Sequence, residues 1–128
     1  MAMPTLRLCL KGHDEIFMID LDRVVYIQAD DHYSFVHYSP GVKFMVPFGL
    51  SRIEALLAEM DEDVSFIQRF GRKNIVNTRR IFRVNTIKED VSLCDDTGAT
   101  MTIHVPKAVL RQWIDSLADK GFDDDADT

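Results

Sequence analysis

The sequence predicts a mainly β fold, a β-rich α+β domain of many short strands with two short amphipathic helices. Three observations carry this. Apolar and polar residues alternate with a period of two through much of the N-terminal half. Turn-forming clusters (Lys11-Gly12-His13-Asp14, Asp30-Asp31-His32, Ser39-Pro40-Gly41 and Asp95-Asp96-Thr97-Gly98) interrupt those runs at short intervals. Helical spacing of apolar residues occurs in only two places, after Leu50 and after Pro106.

The elements follow in order. Leu6, Leu8 and Leu10 alternate with Arg7 and Cys9, and the turn at Gly12 leads into Ile16-Phe17-Met18-Ile19, so this pair reads as a hairpin. Val24-Val25-Tyr26-Ile27 and Tyr33 to Tyr38 flank the Asp30-Asp31-His32 turn and are rich in β-branched and aromatic residues. Val42, Phe44 and Val46 alternate through a fifth strand. Leu50, Ile53, Leu56, Leu57 and Met60 then share one helical face, with Ser51 and Glu54 in the form of a capping box. Phe66 and Ile67 lead into a segment where Gly71 and Asn74 argue against a long helix. Val84 to Lys88, Val91 to Leu93 and Thr100 to Val105 read as short strands. Pro106 fits the first turn of a second helix whose apolar stripe is Val109, Leu110, Trp113, Ile114 and Leu117.

Composition narrows the class. With 128 residues, 46% hydrophobic and 28% charged, the chain suits one folded domain that needs neither disulfide nor metal. That domain is expected over residues 5–119, followed by an acidic tail over 120–128 that has no apolar anchor at Asp123-Asp124-Asp125-Ala126-Asp127-Thr128 and should be disordered. No apolar run approaches the roughly 18 residues of a membrane-spanning helix. Met1 to Leu10 lacks the apolar stretch of a secretory signal, so a cytoplasmic location is expected. Cys9 and Cys94 are too few for a disulfide framework and read as buried free thiols.

Charge is distributed unevenly. The chain has 15 Lys+Arg against 21 Asp+Glu and a net charge of -6. Seven of those positive residues (Arg69, Arg72, Lys73, Arg79, Arg80, Arg83 and Lys88) fall in one window that contains no acid, leaving eight against all 21 elsewhere. Such polarity points to a face for a polyanion.

Three segments, in this order and spacing, resemble the LytTR family of bacterial DNA-binding domains. They are Asp22 to Tyr33 (Asp-Arg-Val-Val-Tyr-Ile-Gln-Ala-Asp-Asp-His-Tyr), the helix from Leu50 to Leu57, and Phe66 to Asn77 (Phe-Ile-Gln-Arg-Phe-Gly-Arg-Lys-Asn-Ile-Val-Asn). The last is the most specific, and the likeness runs from about Leu6 to Leu117. The resemblance implies an elongated domain of small antiparallel sheets, and loops rather than a recognition helix that enter successive major grooves of double-stranded DNA. It further implies a response-regulator output domain of a two-component system, with a receiver domain or sensor kinase pathway upstream. Direct-repeat sites bound by a homodimer on the DNA are also implied, with no membrane partner.

Family DNA contacts carry over to three regions: Asp31, His32 and Tyr33; Arg72 and its neighbours; and Lys107. The Arg72 fork can bond guanine O6 and N7 together, a base contact worth about 1–3 kcal/mol in discrimination. Lys73, Arg69, Arg79, Arg80 and Arg83 suit phosphates, where position matters and sequence does not. Lys107 opens a helix whose N–H groups also favour an anion. Arg83 and Lys88 alternate with Val84 and Thr86 and read as merely solvent-facing. Asn77 reads as structural, bonding nearby backbone. This chain has Pro106-Lys107 where most members have Ser-Arg, keeping a charge but losing a fork and a hydroxyl, and Asp30 and Asp31 add negative charge beside a contacting turn.

Blander readings compete: a basic cluster can be a solvated face with weak ion pairs, and His32 an exposed turn residue. A different class is a protein-interaction module that keeps this fold and takes an acidic partner through the basic face. Enzymatic activity is not expected, since no nucleophile has a neighbouring base and no Gly-rich phosphate loop follows a strand. His13, His37 and His104 are dispersed, so neither a metal nor any other cofactor is expected.

Overall fold

The computed structural model describes residues 6–118. Ten strands and two α-helices follow one another as β1 (Arg7–Lys11), β2 (Ile16–Asp20), β3 (Tyr26–Asp30), β4 (Tyr33–Ser39), β5 (Val42–Val46), α1 (Leu50–Ala58), β6 (Ile67–Phe70), β7 (Asn74–Asn77), β8 (Ile81–Asn85), β9 (Asp90–Cys94), β10 (Thr100–His104) and α2 (Lys107–Ala118). They form three antiparallel sheets: the β1-β2 hairpin, a five-stranded sheet in the order β5-β4-β3-β7-β6, and a three-stranded sheet in the order β10-β9-β8. Among the described residues no helix is long and apolar enough to cross a membrane. The tail expected over 120–128 lies outside the described residues.

Both faces of the five-stranded sheet contribute to a core, and strand alternation explains how. Ile27, Val36 and Ile75 point to a core shared with β1, β2 and α1, where Leu8, Leu10, Ile19, Ile53 and Leu57 meet them. Val76, one residue on from Ile75 and therefore on the opposite face, joins Val25 and Phe70 against Val91, Leu93, Ile103 and Leu110 of the three-stranded sheet and α2. Strand β7 is buried along its whole length, which explains why four residues suffice to tie two cores together.

Four local expectations are corrected. Ser51 does not cap α1: Gly49 holds the cap position with no side-chain bond, and Ser51 lies inside the first turn. The strand expected over Val84 to Lys88 is instead Ile81–Asn85, because the Asn85 side-chain oxygen accepts from the N–H groups of Ile87 (3.0 Å) and Lys88 (2.9 Å) and turns the chain there. Cys9 is exposed rather than buried, since the β1 alternation that takes Leu8 and Leu10 inward turns Cys9 out. Pro106 precedes α2 rather than entering its first turn, and its carbonyl accepts from Val109 (3.0 Å) and Leu110 (3.1 Å).

Candidate nucleic-acid interface

Strand β3 aligns two of the three expected contact regions. It pairs with β4 so that Asp30 lies opposite Tyr33, and with β7 so that Gln28 lies opposite Asn74. The Ala29 N–H then donates to the Lys73 carbonyl at 2.8 Å. The Asp31-His32 turn and the Gly71-Arg72-Lys73 turn therefore emerge at the same end of adjoining strands. The third region joins them through β10: Asn74 Nδ2 donates to the His104 carbonyl at 3.5 Å, and a cleft of ≈ 320 Å³ is lined by Gly71, Arg72, Lys73, His104, Pro106 and Val109. These three turns define a loop edge.

Two turn residues need left-handed backbone. Asp31 has φ 57°, a conformation that Asp tolerates better than most side chains. Gly71 has φ 80°, a left-handed conformation that glycine adopts without strain, in a turn that lies against Val109 of α2. Arg72 and Lys73 are exposed, as are His32, Tyr33 and Lys107. Among the described residues, none of Arg72, Lys73 and Lys107 is in an ion pair. His32 Nε2 stands 3.7 Å from Asp31 Oδ1 with both side chains almost fully in solvent, a contact of little energy.

Arg69 is committed inward. Its Nε donates to the Gly71 carbonyl at 2.7 Å and a terminal nitrogen to the Arg72 carbonyl at 3.4 Å. The other terminal nitrogen reaches Glu54 Oε1 at 3.3 Å and Ser51 Oγ at 3.5 Å. One guanidinium thus ties both turn carbonyls to α1, which is the use the structure makes of the Ser51 and Glu54 pair.

Lys107 keeps its exposed ammonium but loses the helix-end anion site expected behind it. The Lys107 N–H donates to Glu89 Oε2 at 2.8 Å, so a carboxylate from the β8-β9 turn already occupies that position. The same turn carries Lys88, whose spacing predicts a solvent-facing strand position and which instead lies in this turn. The Glu89 carbonyl accepts from the Val105 N–H at 3.0 Å, which sets the Lys88-Glu89 turn beside the Pro106-Lys107 corner. His104, exposed at the end of β10, is a second residue that sequence reasoning passed over. Neither could be found by spacing, since their placement depends on the β9-β10 register that aligns His104 with Asp90.

Arg79 and Arg80 sit at the other end of β7. Asn77, two per cent exposed, donates through Nδ2 to the carbonyls of Val24 (2.8 Å) and Leu21 (3.5 Å). Its Oδ1 accepts from the Arg79 N–H at 3.0 Å, so it is structural, as its position after Ile75-Val76 predicted. The Arg79 guanidinium lies 3.9 Å from the Phe66 ring centroid, and Arg80 donates to the Asp22 carbonyl at 2.6 Å. The acid-free window is therefore not one face: β7 separates its two halves by about 10 Å of strand.

Behind the loop edge, His37 stacks on Tyr26 with ring centroids 4.1 Å apart and its Nε2 lies 3.2 Å from Gln28 Oε1. Burial, and secondarily the Lys43 ammonium, push its pKa down to about 4, so it is neutral near pH 7. Burial also raises the Tyr26 phenol above its usual range. Both rings are packing groups that support β3 and β4.

Comparison with known proteins agrees with the architecture. No curated protein matches the chain. Among solved structures, the chain is similar to the LytTr DNA-binding domain assigned to a methyl-accepting/DNA response regulator from Bacillus cereus, with 20% identity, a TM-score of 0.58, and coverage of 94% of this chain and 100% of that one. At that identity the likeness bears on the fold: three small antiparallel sheets and two helices. The model of the LytTr DNA-binding domain family matches residues 14–112, which is most of the chain and includes all three turns of the loop edge. The chain therefore belongs to the LytTR family of DNA-binding domains.

Proposed function

We propose that the chain binds double-stranded DNA sequence-specifically, as the output domain of a bacterial transcriptional regulator, and that the loop edge is the surface that does so. The observation that carries this reading is the convergence of the Asp31-His32 turn, the Arg72-Lys73 turn and the Lys107 corner at one end of adjoining strands. Entry of the loops into successive major grooves is what the family resemblance implies. Arg72 reads a guanine with its planar fork, and Lys73 and Lys107 neutralise phosphates. His32 and Tyr33 meet the neighbouring groove, with Tyr33 presenting a ring edge and a hydroxyl. Arg69 acts by holding the turn that presents Arg72, and Arg79 and Arg80 lie too far from the edge to read bases. Two copies on direct-repeat sites and an upstream receiver domain or sensor kinase pathway are what the family resemblance implies, and a cytoplasmic location is part of this reading.

Binding should be salt-sensitive, with each neutralised phosphate contributing about 0.9 to the slope of log affinity against log salt. Titrating a labelled random duplex and a duplex recovered by in vitro selection tests the reading, and Arg72→Ala should weaken the selected duplex more than the random one. Equal behaviour of Arg72→Ala and wild type on both would remove Arg72 from the interface. The Pro106-Lys107 departure and the acidic balance of the chain support a second reading, a protein-interaction module of this fold that takes an acidic partner through the basic face. Complete absence of duplex binding at low salt would select it.

A further inference from the structure

The loop edge contains an acid whose position needs an explanation. Glu89 follows Lys88 in the turn that meets the Pro106-Lys107 corner, where a carboxylate repels the phosphates the edge is proposed to meet. It also has φ 55°, a left-handed conformation that glycine would adopt at less cost. A turn that needed only to reverse direction would do better with Gly, or with Asn. The side chain therefore has work that offsets both penalties.

That work is visible at the start of α2. The helix begins with Lys107, has no acidic residue in its first turn, and is preceded by Pro106, which has neither an N–H nor a side-chain acceptor to act as a cap. Glu89 supplies the missing acceptor from 18 residues away: its Oε2 accepts from the Lys107 N–H at 2.8 Å. Its own carbonyl accepts from Val105 at 3.0 Å. One residue thus grips both sides of Pro106. The turn that carries it is itself set by Asn85, whose Oδ1 accepts from Ile87 and Lys88. A charge-assisted cap is stronger than a neutral one and complements the positive end of the helix.

We propose that Glu89 is a positioning residue: it clamps the β8-β9 turn to the start of α2 and so fixes Lys107 relative to Arg72, giving up some phosphate attraction for a defined spacing between contacts. This rests on the proposed DNA-binding role of the loop edge. The two consequences of Glu89 are separable by substitution. Glu89→Gln removes the charge but keeps a side-chain oxygen for the Lys107 N–H; Glu89→Ala removes both.

The test measures binding of wild type, Glu89→Gln and Glu89→Ala to a duplex recovered by in vitro selection on the wild-type protein and to an unselected random duplex, alongside amide hydrogen exchange at Lys107. Removing one negative charge from a surface that meets phosphates should tighten random-duplex binding about twofold in either variant. Glu89→Gln should keep the selected-to-random ratio within about twofold of wild type, and Glu89→Ala should lower it about fivefold to tenfold, the effect of one lost cap expressed at one contact. The Lys107 amide should exchange slowly in wild type and in Glu89→Gln and quickly in Glu89→Ala, while the Leu93 and Val76 amides remain protected. A ratio in Glu89→Ala equal to that in Glu89→Gln would overturn the positioning role, and unchanged Lys107 exchange would overturn the clamp. Wild-type protein that bound neither duplex would overturn the functional reading and with it the specificity role, leaving the exchange measurement to decide the clamp alone.

Discussion

The two ends of strand β7 carry similar charge and use it differently. At the loop edge, Arg72 and Lys73 project from a turn, exposed and outside any ion pair among the described residues. At the far end, Arg80 donates to the Asp22 carbonyl and Arg79 lies over Phe66. An exposed cation whose hydrogen-bonding groups are solvated gives up little when it meets a phosphate. One already bonded to a carbonyl or stacked on a ring must exchange that contact, so its net gain is smaller. Positive charge identifies candidates, and the partners of each charge decide which are available.

Sharpening that contrast begins with the frame that holds both ends. Burial, and secondarily the Lys43 ammonium, push the His37 pKa down to about 4 from its ordinary 6.5, so the fold is favoured most when the ring is neutral. The folded pKa is depressed, so the unfolded chain takes up the proton first. Stability from this group is complete above pH 6.5 and declines as pH falls toward 4. Urea unfolding at several pH values should show the decline, and His37→Phe should flatten that part of the profile.

Asn77→Ala comes next. It leaves the buried Val24 carbonyl and the Arg79 N–H without their side-chain partner, at about 2 kcal/mol. Thermal melts should register this as a lower midpoint, whereas the ratio of selected to random duplex binding by the folded protein should stay as in wild type. A changed ratio would mean that the far end takes part in sequence reading.

Loss of Arg72 should reduce discrimination by about 1–3 kcal/mol at one base position, with little change in melting temperature. Lys107→Ala should weaken the selected duplex about fivefold to tenfold and the random duplex less, since a phosphate contact held in register counts fully only on the selected site, and should lower the salt slope by about 0.9. The smallest effect is expected at Arg83, exposed on β8 away from the loop edge, where Arg83→Ala should change neither stability nor affinity by more than about 0.5 kcal/mol.

How much of this was legible in the sequence depends on the range of the interactions. The first five strands follow from alternation between neighbours, and β1 to β5 lie close to where Leu6 to Leu10 and Val42 to Val46 placed their ends. The β6-β7 hairpin escaped because each strand has only four residues and β7 is buried on both faces, so Asn74-Ile75-Val76-Asn77 shows no alternation to read. Ile87 misled the placement of β8: an isoleucine suggests a strand interior, yet it is 89% exposed at a turn built by Asn85. The Arg72 turn was identified through the family signature, and its neighbours at the loop edge depend on the order β4-β3-β7, which no local pattern encodes. Glu89 was illegible for the same reason, since its partner is 18 residues away on another element.

The central claim is that the two ends of β7 differ in function. Fluorescence-anisotropy titrations of Arg72→Ala/Lys73→Ala and Arg79→Ala/Arg80→Ala, each with selected and random duplexes across a salt series, test it directly. The loop-edge variant should lose about 100-fold on the selected duplex, lose most of its preference over random sequence, and show a salt slope lower by about 1. The far-end variant should stay within about threefold of wild type on both duplexes. Equal losses in the two variants, or a larger loss of preference at Arg79 and Arg80, would contradict the assignment of the loop edge as the reading surface.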